Sequence, residues 1–336
     1  MANGSKVAVL GVTGAVGQEM LRVLEERDFP VAEFIPLASP RSAGREITFR
    51  GEVHRVQAVT PEAFQGVDFA LFSAGGGTSR EWAPIAAERG AVVIDNSSAW
   101  RRDPDVPLVV PECNLEAAHS RPKGIIANPN CSTIQMVVAL APLHAESRIR
   151  RVVVSTYQAI SGSGAQAVEA FQAQAKAVAN GEPPDLAPLK GQLAQNLLMH
   201  WSRDVDSGYQ EEELKMVHET RKILADPEIR VSPTAVRVPV ISGHAESIAL
   251  ECEAPLAAAR ARALLEAAPG VEVVDDFATG VYPQPIDVVG KDNVLVGRIR
   301  EDVGNPGGLL MWVVGDNLRK GAALNAVQIA EGLLPV

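Results

Sequence analysis

The sequence predicts an α/β protein: a doubly wound, Rossmann-type nucleotide-binding domain followed by an α+β domain with a mostly antiparallel or mixed sheet. Three observations carry this. Short apolar strands alternate with helical periodicity over the first hundred residues, the pattern of β-α-β units in a parallel sheet. Gly11, Gly14 and Gly17 stand three apart after the first strand and open a helix, where amides can approach a phosphate. Beyond Cys131 strands outnumber helices, too many for one helix per crossover.

Taken in order, residues 6–10 form the first strand, and the glycine turn leads into a helix with Val16, Met20 and Val23 on one face. Strands follow at 34–38 and 67–74, then Gly75, Gly76 and Gly77, a helix over 79–89 stopped by Gly90, and a strand at 92–94. In the second half, an apolar helix covers 132–143 and a strand 152–157, and Ser161-Gly162-Ser163-Gly164 opens a helix running to about residue 180. Residues 181–208 are rich in proline and polar side chains and read as irregular. A helix at 210–224 precedes strands at 235–240, 247–253, 271–274, 294–300 and 309–314, with a helix at 256–267. The last helix, 321–333, can pack on either domain.

Composition narrows the function. The chain has 336 residues, 46% apolar and 21% charged, which excludes a wholly disordered protein. Its longest apolar runs, such as 136–143, fall far short of the roughly 18 residues of a membrane span. Lys6 is followed by only four apolar residues before glycine, too few for a secretory signal, so the expected location is cytoplasmic. With 31 basic and 41 acidic residues the net charge is −10, which argues against nucleic-acid binding. An anionic small molecule would need a local basic pocket. Three scattered cysteines exclude a disulfide framework and any C-x-x-C pair, and no metal is expected. Cys252 shares a strand face with Ile248 and Leu250, opposite Glu251 and Glu253, and reads as a small buried apolar residue. Cys113 has no evident role.

The second strand ends in Ser39-Pro40-Arg41-Ser42, with no acid before Glu46. A carboxylate there would hold the ribose hydroxyls of NAD, whereas arginine with hydroxyl donors suits a 2′-phosphate, so NADP is the expected cofactor. Cys131 stands in Asn128-Pro129-Asn130-Cys131-Ser132-Thr133, where a helix begins. A helix N-terminus favours a thiolate. On position alone, both a buried helix-starting thiol and a nucleophile remain open. Of the six histidines most sit in polar company and read as surface residues, but His244 lies in a turn between strands, seven residues after Arg237. That arginine interrupts an apolar run and is either half-exposed or reaching for an anion.

Asn130-Cys131-Ser132-Thr133, Tyr157-Gln158-Ala159-Ile160-Ser161-Gly162, Arg237-Val238-Pro239-Val240 with Gly243-His244, and the N-terminal glycine turn together resemble the aspartate-β-semialdehyde dehydrogenases, in their bacterial form. Asp95 to Arg101, Val109 to Glu112 and Val296 to Arg300 carry the same resemblance, in order, from about Val7 to Gly332. It implies NADPH-dependent reductive dephosphorylation of L-aspartyl-4-phosphate by a homodimer, on the path to lysine, threonine, methionine and isoleucine. It also implies the roles of residues. Cys131 matches the nucleophile that forms an acyl-thioester, His244 the acid/base residue and Gln158 the residue positioning the acyl group. Arg237 matches the clamp on the substrate α-carboxylate and Glu212 the partner of its amino group, with Asn130 also at the substrate. Arg101, preferred to its neighbour Arg102, and Lys215 match the phosphate site. Gly11, Thr13, Gly14, Ala15, Val16, Ser39, Arg41, Ser42, Ser73, Ser161, Gly162 and Asn317 match cofactor contacts.

The implied domains are 1–131, binding NADP and regaining a terminal helix at 318–336, and 132–317, for catalysis and dimerisation. Cys113 occupies a place where the family pattern calls for an apolar residue. Residues 181–208 match poorly, in a stretch suited to a dimer surface or substrate entrance. The alternatives are an N-acetyl-γ-glutamyl-phosphate reductase, which has no use for an acid at Glu212, and a non-catalytic NADP sensor, which has no use for Cys131 or His244.

Overall fold

The computed structural model describes residues 4–205 and 207–334. The chain divides into two units, Met1–Asn130 with Ala322–Val336, and Cys131–Gly321. The break falls one residue before the sequence-based boundary, because Cys131 is already the first residue of a helix of the second unit. The return falls at Ala322 rather than 318.

In the first unit, β1 (Ser5–Leu10) leads through the glycine turn to α1 (Ala15–Glu26) and β2 (Val31–Ala38). Gly11 has φ +87°, and a Cβ there would lie 2.5 Å from the Ser73 carbonyl oxygen, so no larger residue fits that turn. A hairpin unread in the sequence follows, β3 (Glu46–Phe49) and β4 (Glu52–Arg55). Its two-residue turn has φ +51° at Arg50 and +76° at Gly51. Both signs are those of a type I′ turn, and arginine in place of the usual Asn or Asp hid it. Then come β5 (Gln57–Ala58), β6 (Phe69–Phe72), α2 (Gly76–Glu88), β7 (Val92–Asp95), the short α3 (Pro111–Asn114) and β8 (Ile125–Ala127). The helix α2 starts earlier than the sequence suggests, with Gly76 and Gly77 in its first turn. The six strands pair in parallel in the order β5-β2-β1-β6-β7-β8. This is the doubly wound arrangement, with its reversal of direction between β1 and β6.

The second unit opens with α4 (Cys131–Glu146), in which every residue from Ser132 to Leu140 is buried. Such a helix is apolar all round because it is covered all round, here by α6, α7 and the sheet introduced next. The chain continues through β9 (Ile149–Gln158), α5 (Ala165–Ala179), α6 (Glu211–Ile223), β10 (Arg230–Arg237), β11 (His244–Cys252), α7 (Ala258–Glu266), β12 (Val271–Val273), β13 (Val294–Glu301) and β14 (Gly308–Gly315). Gln210 and Glu213 close a reciprocal capping box on α6. The sheet order is β10-β9-β11-β14-β13-β12, parallel at its two outer pairs and antiparallel between them. β10 starts and ends earlier than the 235–240 expected. Pro233 demotes that segment in a sequence reading, yet β10 is an edge strand, where proline is tolerated.

After β14 a π-helical turn (Arg319–Ala323) runs into α8 (Leu324–Glu331), which packs in the first unit on α1 and β7. Its Leu324, Val327 and Ile329 share a core with Val7, Met20, Leu71 and Ile94. Asn325 is fully buried there, its amide donating to the Val109 carbonyl and to Asn128 Oδ1. Among the described residues, no helix is long and apolar enough to cross a membrane. Asn325→Leu leaves two buried acceptors short of a donor and is expected to cost about 1–3 kcal/mol, read from urea unfolding.

Candidate active site

Sheet register gathers the polar residues of the second unit. Gln158 and Arg237 are the last residues of the parallel strands β9 and β10 and are register partners. β11 runs antiparallel to β9, so His244, its first residue, starts where β9 ends. β14 runs antiparallel to β11, and Gly315 at its end pairs with His244, which puts Asn317 two residues beyond the same edge. Gln158, Asn317 and the Arg237–His244 segment, far apart in the chain, thus meet at one end of one sheet.

Cys131, at the start of α4, reaches this edge. Its Sγ lies 3.3 Å from His244 Nε2. Gly321 makes room for it, since a Cβ there would stand 2.9 Å from that of Cys131. His244 is fully buried, and the Ala159 backbone N–H donates to its Nδ1 at 3.0 Å. An Nδ1 that accepts carries no proton, so the neutral ring holds its hydrogen on Nε2, directed at the sulfur. Protonating Nδ1 would set two hydrogens against each other. Burial first, and then the Arg237 charge, push the imidazole down to about 3, against a smaller opposing pull from Glu212.

Arg237 is buried, and burial lowers its pKa while Glu212 and Cys131 act to raise it. Its Nη1 donates to the Ala159 carbonyl and its Nη2 to Ser163 Oγ at 2.9 Å. The guanidinium lies 3.8 Å over the Trp201 ring, a stack that holds the plane of the fork. Trp201 escaped the sequence reading because it lies in the irregular 181–208 stretch. Arg237 and Trp201 border a cavity of about 300 Å³. Glu212, on α6, is buried and bonds Lys215 Nζ at 2.8 Å, one turn along the helix. Gln158 is buried, with its amide 3.3 Å from Thr156 Oγ1. Asn317 Oδ1 accepts from the Gly243 N–H at 2.9 Å, and its Nδ2 donates to Ser161 Oγ at 2.9 Å. The pair ties the loop after β9 to the residue before His244. Gly162 is on that loop, where an added Cβ would come within 3.4 Å of His244 Nε2.

The first unit holds the other expected residues. Arg101 is buried, donating from Nε to the Asn128 carbonyl and from Nη2 to that of Asn96, both at 2.9 Å, whereas Arg102 is exposed. Asn130 is buried. A cavity of about 510 Å³ opens at the carboxyl ends of β1 and β6, lined by Gly11, Thr13, Gly14, Ser39, Ser42 and Ser73. Gly14 is the residue before α1, whose first turn contains Ala15 and Val16. Free amides, small residues and hydroxyls suit the phosphates of a dinucleotide. Arg41 is exposed on the turn Pro40–Ser42 and does not line the cavity. Glu81 and Trp82 of α2 do, and no glycine or spacing signal marks them in the sequence. Two further expectations change. His119 and His200 are exposed, but His54, His144 and His218 are half-buried, and His144 Nδ1 accepts from the Ile149 N–H. Cys252 lies past a bulge in β11 and is only half-buried. Among the described residues no His, Cys, Asp and Glu cluster fits a metal.

A half-buried thiol in contact with a buried imidazole beside an arginine, in a chain with a separate dinucleotide-type fold, suits an oxidoreductase that works through a cysteine. The comparisons agree, and the chain belongs to the semialdehyde dehydrogenase family. Residues 6–121 match the family model described as semialdehyde dehydrogenase, NAD binding domain, and residues 140–320 match the semialdehyde dehydrogenase dimerisation domain. Aspartate-semialdehyde dehydrogenase of Aquifex aeolicus is 55% identical over 334 residues, 98% of each chain. The structure of aspartate semialdehyde dehydrogenase II of Vibrio cholerae complexed with ASA superposes with a TM-score of 0.96 at 49% identity, covering 99% of this chain and 98% of that one. The Candida albicans enzyme with NADP superposes at 0.77 and 27% identity, covering 98% of both chains.

The depressed His244 pKa has a consequence for stability. Folded His244 stays neutral, while in the unfolded chain it takes a proton as pH falls below its ordinary 6.5. Its contribution is therefore complete above pH 6.5 and is lost as pH falls toward 3. Between pH 7 and 5 the wild type is expected to lose about 2 kcal/mol more than His244→Gln, measured by urea unfolding at both pH values.

Proposed function

We propose that the chain is an aspartate-semialdehyde dehydrogenase, reducing L-aspartyl-4-phosphate to L-aspartate 4-semialdehyde with NADPH and releasing phosphate. The single observation that carries this reading is the 3.3 Å contact of Cys131 with His244, on a sheet edge that also presents Arg237 and Gln158. The product feeds lysine, threonine, methionine and isoleucine synthesis. A cytoplasmic homodimer is the working form, a reading supported by the dimerisation-domain match over residues 140–320.

Each residue has a task that its geometry supports. The Cys131 sulfur, its proton released to solvent, attacks the acyl carbon as a thiolate, the carbon–oxygen bond to phosphate breaks, phosphate leaves, and a thioester remains on the sulfur. His244 keeps a hydrogen on Nε2 toward that sulfur, stabilising the thiolate before it attacks and again when the thioester is broken. Acting as a base would first require Ala159 N–H to release Nδ1. Arg237 offers a flat, stacked fork to the α-carboxylate, and Glu212 a carboxylate to the ammonium. Lys215 supplies a cation for phosphate and Gln158 orients the acyl group; in the first unit, Arg101 and Asn130 are buried polar residues, as the roles implied by the resemblance ask of them. Gly11, Thr13, Gly14, Ser39, Ser42 and Ser73 would hold the cofactor, which as NADPH would supply the hydride. Arg41, one residue from that wall, meets the 2′-phosphate.

Cys131→Ala is expected to lower phosphate-dependent NADP reduction with aspartate semialdehyde by roughly a thousandfold or more, followed at the nicotinamide absorbance. Turnover near wild type removes the thiol from the reaction. Arg237→Lys should raise KM for the semialdehyde roughly tenfold or more, because the two-pronged bond is lost. NAD should be a poorer oxidant than NADP, and the N-acetylated glutamate semialdehyde should not react in the same assay.

A further inference from the structure

Glu246 has no part in the chemistry above, yet it lies beneath it. It stands two residues beyond His244 on β11, so the two side chains leave one face of the strand. Gln135 stands four residues beyond Cys131 on α4, so those two share one face of the helix. α4 packs on β11. Gln135 and Glu246 therefore form a second layer under Cys131 and His244.

The layer is short of hydrogen. Glu246 is fully buried, and neither carboxyl oxygen has a hydrogen-bond partner. Gln135 is buried, and its Oε1 lacks a donor as well. Its Nε2 donates to the His244 carbonyl oxygen at 3.4 Å. Among the described residues, the Gln135 amide is the polar group that acts on the Glu246 carboxyl, and burial drives that carboxyl well above its ordinary range. The cross-strand neighbours of Glu246, Thr156 on β9 and Val313 on β14, bring no charge. Gly315, opposite His244, leaves room for the amide, since a Cβ there would lie 2.8 Å from Gln135 Oε1.

An ionised carboxylate in this setting would keep its charge without a cation and leave Oε1 without a donor. One proton on the carboxyl answers both problems. The acid O–H bonds Oε1, one Nε2 hydrogen bonds the second carboxyl oxygen, and the other stays on the His244 carbonyl. We propose that Glu246 is a neutral carboxylic acid paired face to face with the Gln135 amide, and that this pair is the positioning layer holding His244 against Cys131. The positioning role rests on Cys131 and His244 being the reacting pair.

Two measurements on the full-length protein test this without turnover, so they stand whatever the acyl substrate is. In infrared spectra with 13C-labelled glutamate at neutral pH, the wild type should show the carbonyl stretch of a hydrogen-bonded carboxylic acid. The band should vanish in Glu246→Gln and move to higher frequency in Gln135→Leu. A wild-type spectrum with carboxylate bands alone overturns the proposal. Alkylation of Cys131 by iodoacetamide, followed by peptide mass spectrometry, tests positioning. Glu246→Ala and Gln135→Leu should slow it roughly tenfold, and Glu246→Gln, which restores a donor–acceptor pair, should bring it back to within about threefold of wild type. Wild-type alkylation in Gln135→Leu or in folded Glu246→Ala overturns the positioning role. Should Glu246→Ala fail to fold, Gln135→Leu and Glu246→Gln still decide.

Discussion

The backbone of one residue organises the site. Ala159, fully buried just past the end of β9, gives its N–H to His244 Nδ1 and its carbonyl oxygen to Arg237 Nη1. A buried backbone group must find a partner. Here both partners are side chains of the proposed site. The tautomer of the histidine and the aim of the guanidinium are thus set by a single stretch of backbone, which itself follows Gln158. Moving β9 by one residue would misplace all three side chains together.

Electrostatics at this edge run against the bulk of the molecule. A chain with a net charge of −10 buries Arg237 near a histidine that it helps to keep neutral. Glu212 offsets part of that field and is itself bonded to Lys215. The cluster mixes both signs at short range. That suits a substrate bearing a carboxylate, an ammonium and a phosphate, because each finds an opposite charge without a large uncompensated field.

Much of this was legible in the sequence because its signals are local. The glycine turn, the strand–helix alternation and the break at Asn130-Cys131 depend on neighbours in the chain, and the parallel order of the first sheet follows from them. Other features answer to partners far away. β10 carries a proline that only its edge position excuses, and the Arg50-Gly51 turn depends on a dihedral angle its first residue rarely adopts. Gly315 and Gly321 are small because Gln135 and Cys131 occupy the space beside them, which no spacing reveals. Trp201, Glu81 and Trp82 have no motif around them. Arg41, with the right chemistry at the right place in the sequence, is exposed between Pro40 and Ser42, which line the cavity.

The return of α8 to the first unit affects how the molecule is made. Val7, Met20 and Ile94 share their core with Leu324, Val327 and Ile329, and Asn325 satisfies Val109 and Asn128. On the ribosome, a nascent first unit therefore waits with an apolar flank uncovered until the entire second unit has been translated. That interval is long enough for chaperones to engage or for aggregation to begin. Because the helix that ends the wait is encoded after the second unit, a chain broken off before it would expose the same flank permanently and mark itself for proteolysis.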